Sequence, residues 1–245
     1  MTLSIQTHAG LPRPGLAVGA LAQFAVLGTI TVGVGLGVVG WLAGTVYAVV
    51  VWATLSHALR RSGQRSLGPA NVVTLTRSTL VGGITALVAD AVAGHRTPTA
   101  ALVVLTTVAL ILDAVDGQVA RRTGTTTALG ARFDMETDAF LILVLSAFVA
   151  LELGWWVLAI GVFRYAFVAA SWRLPWLRAS LPPRFSRKTV AVVQAVVLVV
   201  ASSGLLPTIV NAVAVGLALA MLTWSFVRDS HWLWRHRQPV SATSG

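Results

Sequence analysis

The chain has 245 residues, 56% of them hydrophobic and only 11% charged, with a mean hydropathy of +0.80. That balance excludes a soluble globular protein and predicts an all-α fold, a polytopic membrane helical bundle. The net charge of +10 does not mark a nucleic-acid partner, because the basic residues gather in the connections between apolar runs.

A helix that crosses a bilayer needs roughly 20 apolar residues. The apolar runs predict about eight such helices, at 16–39, 41–59, 71–93, 98–115, 138–153, 155–172, 189–204 and 208–227. Residues 1–15 read as a cytoplasmic N-terminal segment. The hydrophobic run that follows is too long for a cleaved signal peptide, so the first span is retained. Residues 16–59 form an accessory transmembrane hairpin in which Tyr47 and His57 are the only ionisable side chains. Its Gly35, Gly37 and Gly40 match a dinucleotide-binding glycine pattern, but no strand or soluble βαβ unit surrounds them. Small residues at this spacing instead predict close helix packing. Residues 60–70 are a basic linker rich in turn formers, 71–227 a six-helix transmembrane domain and 228–245 a basic cytoplasmic tail. Trp172 and Trp176 in the basic loop 173–188, and Trp232 and Trp234 in the tail, suit the headgroup level.

When the connections are assigned alternately to the two faces, fifteen of the eighteen basic residues fall on one side. The opposite side keeps Arg96, while Arg77 and Arg164 lie within helices. By the positive-inside rule this predicts a multi-pass protein of the cell inner membrane with both termini facing the cytoplasm. The absence of cysteine excludes disulfides, thiolate chemistry and cysteine-type zinc sites. The five histidines are scattered without ligand spacing.

Four of the eight acidic residues, Asp113, Asp116, Asp134 and Asp138, stand in a fixed frame with Gly117, Ala120, Arg121 and Gly130. Residues three and four apart share a helix face. Asp113, Asp116 and Ala120 therefore form one stripe at the cytoplasmic end of the fourth span, and Asp134 with Asp138 another at the start of the fifth. Each aspartate costs about 2.5 to 3.5 kcal/mol at the bilayer centre, so four uncompensated ones would cost on the order of 10 kcal/mol. Two divalent cations would balance them, and an all-oxygen donor set selects Mg2+, with Mn2+ or Ca2+ as alternatives. Two metals can clamp a diphosphate for displacement at phosphorus. Gly117 and Gly130 let the backbone approach such a ligand, Ala120 leaves room on the same face, and Arg121 offers a guanidinium to a phosphate. The alternative is a structural ion-pair network with Arg121, Arg122 and Arg132.

This frame, Asp113-x2-Asp116-Gly117-x2-Ala120-Arg121-x8-Gly130-x3-Asp134-x3-Asp138, resembles the signature of the CDP-alcohol phosphotransferase (CDP-alcohol phosphatidyltransferase) family at every fixed position. The resemblance implies a six-helix catalytic domain over 71–227. It further implies metal ligation by Asp113, Asp116 and Asp134, and a general base in Asp138 that shares the second metal site. It assigns Gly117, Arg121 and Thr127 to the cytidine diphosphate. Upstream, Pro69, Asn71, Thr74 and Arg77 resemble, more loosely, the family's segment before its first core helix. Asn71 and Thr74 then join the nucleotide-binding set. Asn71 also fits a helix cap, whereas Arg77, an intramembrane charge, is expected to face a polar cavity.

Activity, by the same resemblance, is transfer of a phosphatidyl group from CDP-diacylglycerol to a small alcohol, with release of CMP and a cytoplasmic active site. Arg164, Arg187 and Lys188 are the candidates for holding a phosphorylated acceptor. Membrane lipid is a partner, no nucleic acid is, and a homodimer is expected from the family. Two rival readings are an ion-coupled transporter, whose acids belong near mid-membrane on broken helices, and a magnesium-dependent prenyl transferase, which carries two separated aspartate motifs.

Overall fold

In a computed structural model of the chain, residues 13–62, 69–123, 128–178 and 185–236 are described. They form eight α-helices: α1 (Arg13–Val34), α2 (Val38–Ser62), α3 (Pro69–Val92), α4 (Thr99–Thr123), α5 (Ala128–Leu153), α6 (Leu158–Arg173), α7 (Phe185–Ser202) and α8 (Thr208–Arg235). Short 3-10 turns stand at Trp155–Val157 and Pro175–Arg178, and there is no strand among the described residues.

Each apolar run corresponds to a helix of its own, except that the run 16–39 passes the end of α1 at Val34, crosses the Gly35 turn and enters α2, and several other helices outrun the apolar sequence. α4 continues to Thr123 and α5 begins at Ala128, so Asp113 stands ten residues before the end of α4 and Asp138 ten residues into α5, while Gly130 stays in the first turn of α5. Hydropathy reports burial in lipid, whereas Gln118, Arg121 and Arg122 are good helix formers that extend α4 beyond it. α8 likewise runs through Trp232 and Trp234 to Arg235 without a break. α3 starts at Pro69, a residue suited to the first helical position, which puts Asn71 within the first turn rather than at the cap.

Among the described residues, four stretches are long and apolar enough to cross a membrane: Val38–His57, Leu75–Val92, Trp155–Arg173 and Thr208–Arg235. Gly19–Val34, Thr99–Val115 and Thr189–Ser202 are shorter apolar helices. α5 belongs to neither group; it carries Arg132, Asp134, Glu136 and Asp138 toward its start and Glu152 near its end. Large apolar side chains such as Val32, Leu42, Val49, Val104 and Leu217 lie exposed along these helices. Such continuous apolar surface belongs against lipid. The protein is an all-α polytopic membrane protein.

The chain divides into two compact units, Met1–Leu141 and Ile142–Gly245. In the first, α3 is central and packs against α1, α2 and α4. Its Leu75–Val92 stretch is 56% buried, against 22% for Val38–His57 of α2. Gly35, at φ 80°, turns the chain from α1 into α2. The Trp41 indole N–H donates to Thr31 Oγ1 across that turn at 2.9 Å. A β-carbon on Gly40 would stand 2.8 Å from the Ala86 carbonyl oxygen of α3 and one on Gly37 2.5 Å from Asp90 Oδ1, so these two glycines serve close packing, whereas Gly35 has open space around it and serves the turn. At the far end of α3, buried Asp90 accepts a hydrogen bond from the Gly37 N–H through Oδ2 at 3.0 Å.

In the second unit α7 packs on α8, and α6 also meets α8. Phe226 contacts Phe163 and Phe167 with ring centroids 5.3 and 5.2 Å apart. Thr208 donates to Glu152 Oε1 at 2.9 Å.

Candidate functional site

Three helices of the first unit converge on one polar cluster. Arg77 stands eight residues into α3, Asp113 ten residues before the end of α4, and Asp138 ten residues into α5. At a rise of about 1.5 Å per residue these are similar depths, roughly 12 to 15 Å from the helix ends that face the segments 63–68 and 124–127. Asp134, one turn earlier on α5, shares a face with Asp138.

Asp113, Asp134 and Asp138 each offer a carboxylate oxygen within 4.8 Å of the others. Arg77 sits among them. Its Nη1 donates to Asp113 Oδ1, its Nη2 to Asp134 Oδ1, and Nη1 lies 3.3 Å from Asp138 Oδ1. Nη2 also reaches the Asp134 carbonyl oxygen at 3.4 Å. The guanidinium is 2% exposed, whereas the three carboxylates are 36, 41 and 45% exposed. The cation therefore forms the floor of the cluster, and the acids open outward above it. A planar fork with several donors suits this task better than an ammonium would.

Three carboxylates against one guanidinium leave a formal charge of −2. That remainder, an oxygen-only donor set and outward-opening acids together fit a hard divalent cation. Arg77 supplies part of the compensation that the membrane demands, as a cationic partner of all three acids. Arg132 is exposed on α5, and the side chains of Arg121 and Arg122 are outside those described.

Gly117, one turn past Asp113 on α4, and Gly130, in the first turn of α5, are half-buried. Asp116, Ala120 and Arg121 lie on α4, Asn71 and Thr74 on α3, and Arg187 and Lys188 on α7, with side chains outside those described. Thr127 falls outside the described residues altogether. Arg164 is half-buried on α6 in the second unit. Glu136 is exposed, as expected for a residue on another face of α5.

The sequence marked Arg77 as an intramembrane charge without naming its partners. The available signal was complementarity: one cation inside an apolar helix, and a cluster of acids inside two others.

Fold and site together define a helical membrane protein that carries a cluster of three carboxylates with the spacing to hold a metal ion. The family model for CDP-alcohol phosphatidyltransferase matches residues 68–224, and the chain belongs to that family of membrane transferases. No curated protein and no solved structure matches the chain significantly.

Proposed function

We propose that this protein transfers a phosphatidyl group from CDP-diacylglycerol to the hydroxyl of a small alcohol and releases CMP. The observation that supports this reading is the convergence of Asp113, Asp134 and Asp138 on one cluster inside the family-matched segment. Asp113, Asp116 and Asp134, with a share from Asp138, would hold the cations, most naturally two Mg2+ or Mn2+. Bound there, such ions neutralise the diphosphate and stabilise the charge that develops on the leaving phosphate.

Asp138 takes the proton from the acceptor hydroxyl. The acceptor oxygen then forms a bond to the phosphorus that carries the diacylglycerol oxygen, and the bond from that phosphorus to the bridging oxygen of the diphosphate breaks. Its electron pair leaves on CMP. Arg77 holds the acids in one group, because its planar fork donates to Asp113 and Asp134 at once. Gly117 and Gly130 let the backbone lie close to the diphosphate, while Arg121, Thr127, Asn71 and Thr74 recognise the cytidine nucleotide. Arg164, Arg187 and Lys188 are the candidate anion holders for a phosphorylated acceptor. The site works at the cytoplasmic face of the inner membrane, where a lipid donor and a water-borne acceptor meet.

The test is CMP release by the purified protein from labelled CDP-diacylglycerol, against a panel of free and phosphorylated alcohols. Release should require both an acceptor and Mg2+ or Mn2+ and should stop on chelation. No release with any acceptor, or turnover of a prenyl diphosphate instead, would overturn the assignment.

A further inference from the structure

Tyr47 lies on α2, outside the 68–224 stretch that matches the family, and is buried at 8% exposure. Its hydroxyl is 3.1 Å from Ser78 Oγ, and Ser78 is the neighbour of Arg77 on α3. Its ring stacks on Phe140, two residues past Asp138 on α5, with centroids 5.1 Å apart and planes at 27°. A single hairpin side chain thus touches the immediate surroundings of cluster residues on two different helices. The hairpin is itself pinned to α3. The Gly37 N–H binds Asp90 at one end, and the amide of Gln23 on α1 lies against Gly82 farther along, where a β-carbon would be 2.5 Å from Gln23 Oε1.

A buried tyrosine contributes a large rigid contact area together with one polar end that must be satisfied. Placed between α3 and α5, it fixes their separation through the ring and their relative height through the hydroxyl. Arg77 can bridge Asp113, Asp134 and Asp138 only at one such spacing, and displacement by about 1 Å is enough to spoil a site of this kind. We propose that Tyr47 is a positioning residue for the acid cluster, and that the N-terminal hairpin is therefore part of the site's frame rather than an independent appendage. This inference rests on reading the cluster as the metal-binding centre.

The experiment measures Mn2+ binding to the purified full chain by electron paramagnetic resonance, alongside CMP release and thermal unfolding. Tyr47→Phe and Ser78→Ala delete the same hydrogen bond from opposite sides. Each should weaken Mn2+ binding about two- to threefold, and the double variant should be no worse than either single one. Tyr47→Leu, which also loses the Phe140 contact, should weaken binding about fivefold or more. Val49→Ala, on the exposed face of the same helix, should leave it unchanged. A purely structural role would lower the melting temperature and leave the Mn2+ affinity of the folded protein alone. That result, or full additivity of the two hydrogen-bond variants, would overturn the proposal. If wild-type protein shows no CMP release while the Mn2+ shifts appear as stated, the transferase reading falls and the positioning role stands.

Discussion

Arg77 carries a large electrostatic responsibility, because it is buried to 2% and contacts three acids at once. Removing one partner of a buried charge group leaves the others uncompensated, at a cost of about 3 to 5 kcal/mol. Arg77→Met should therefore lower the melting temperature of the detergent-solubilised protein markedly. Added Mg2+ should restore much of that loss, since a divalent ion can replace the missing positive charge; thermal unfolding with and without Mg2+ measures both effects. Among the acids, Asp138→Asn should abolish CMP release while sparing binding of an unreactive cytidine nucleotide more than Asp113→Asn does. Retention of activity in both variants would refute the assigned roles. The aspartates were legible in the sequence because their spacing is local and regular. Their contacts with Arg77 were not, because those partners stand 36 and 57 residues away in the chain.

At the scale of helices, glycines decide how closely neighbours approach. Gly161 of α6 faces α5 so tightly that an added β-carbon would lie 2.4 Å from Leu143 Cα and 2.6 Å from Ser146 Oγ. The first neighbour is backbone and cannot turn aside, so the two helices must separate. Gly161→Ala should destabilise the protein by about 1 to 3 kcal/mol, visible as a lower melting temperature. Gly216→Ala, with open space where its β-carbon would go, serves as the control. Hydropathy located the helices but misplaced their ends, most of all at α4 and α5. Apolar content ends where lipid ends, whereas backbone hydrogen bonding continues as long as residues with fair helix propensity follow one another. Gly37 and Gly40 were readable as packing positions, yet the identity of the opposing helix was not, and Gly35 serves the turn instead.

Over the whole molecule, the positive-inside rule, applied to the eight helices among the described residues, leads us to propose that both termini lie on the cytoplasmic side. The natural absence of cysteine makes this simple to check. A single cysteine introduced at Ser241 should react with a membrane-impermeant maleimide only after the cytoplasmic face is opened, and one at Arg96 should react from outside. The opposite pattern would reverse the topology.

The sequence by itself determined the class of fold, the membrane setting and the aspartate frame, because these depend on composition, run length and short-range periodicity. Tertiary structure alone decided that Arg77 closes the acid cluster and that α1 and α2 pack onto α3, with Tyr47 reaching toward α5. Those facts depend on which faces of distant helices meet. The physical reason is that inside a membrane every apolar face is equally at home against lipid, so hydrophobicity cannot choose partners. Small residues, buried charges and individual hydrogen bonds make that choice, and they act only once the helices are assembled.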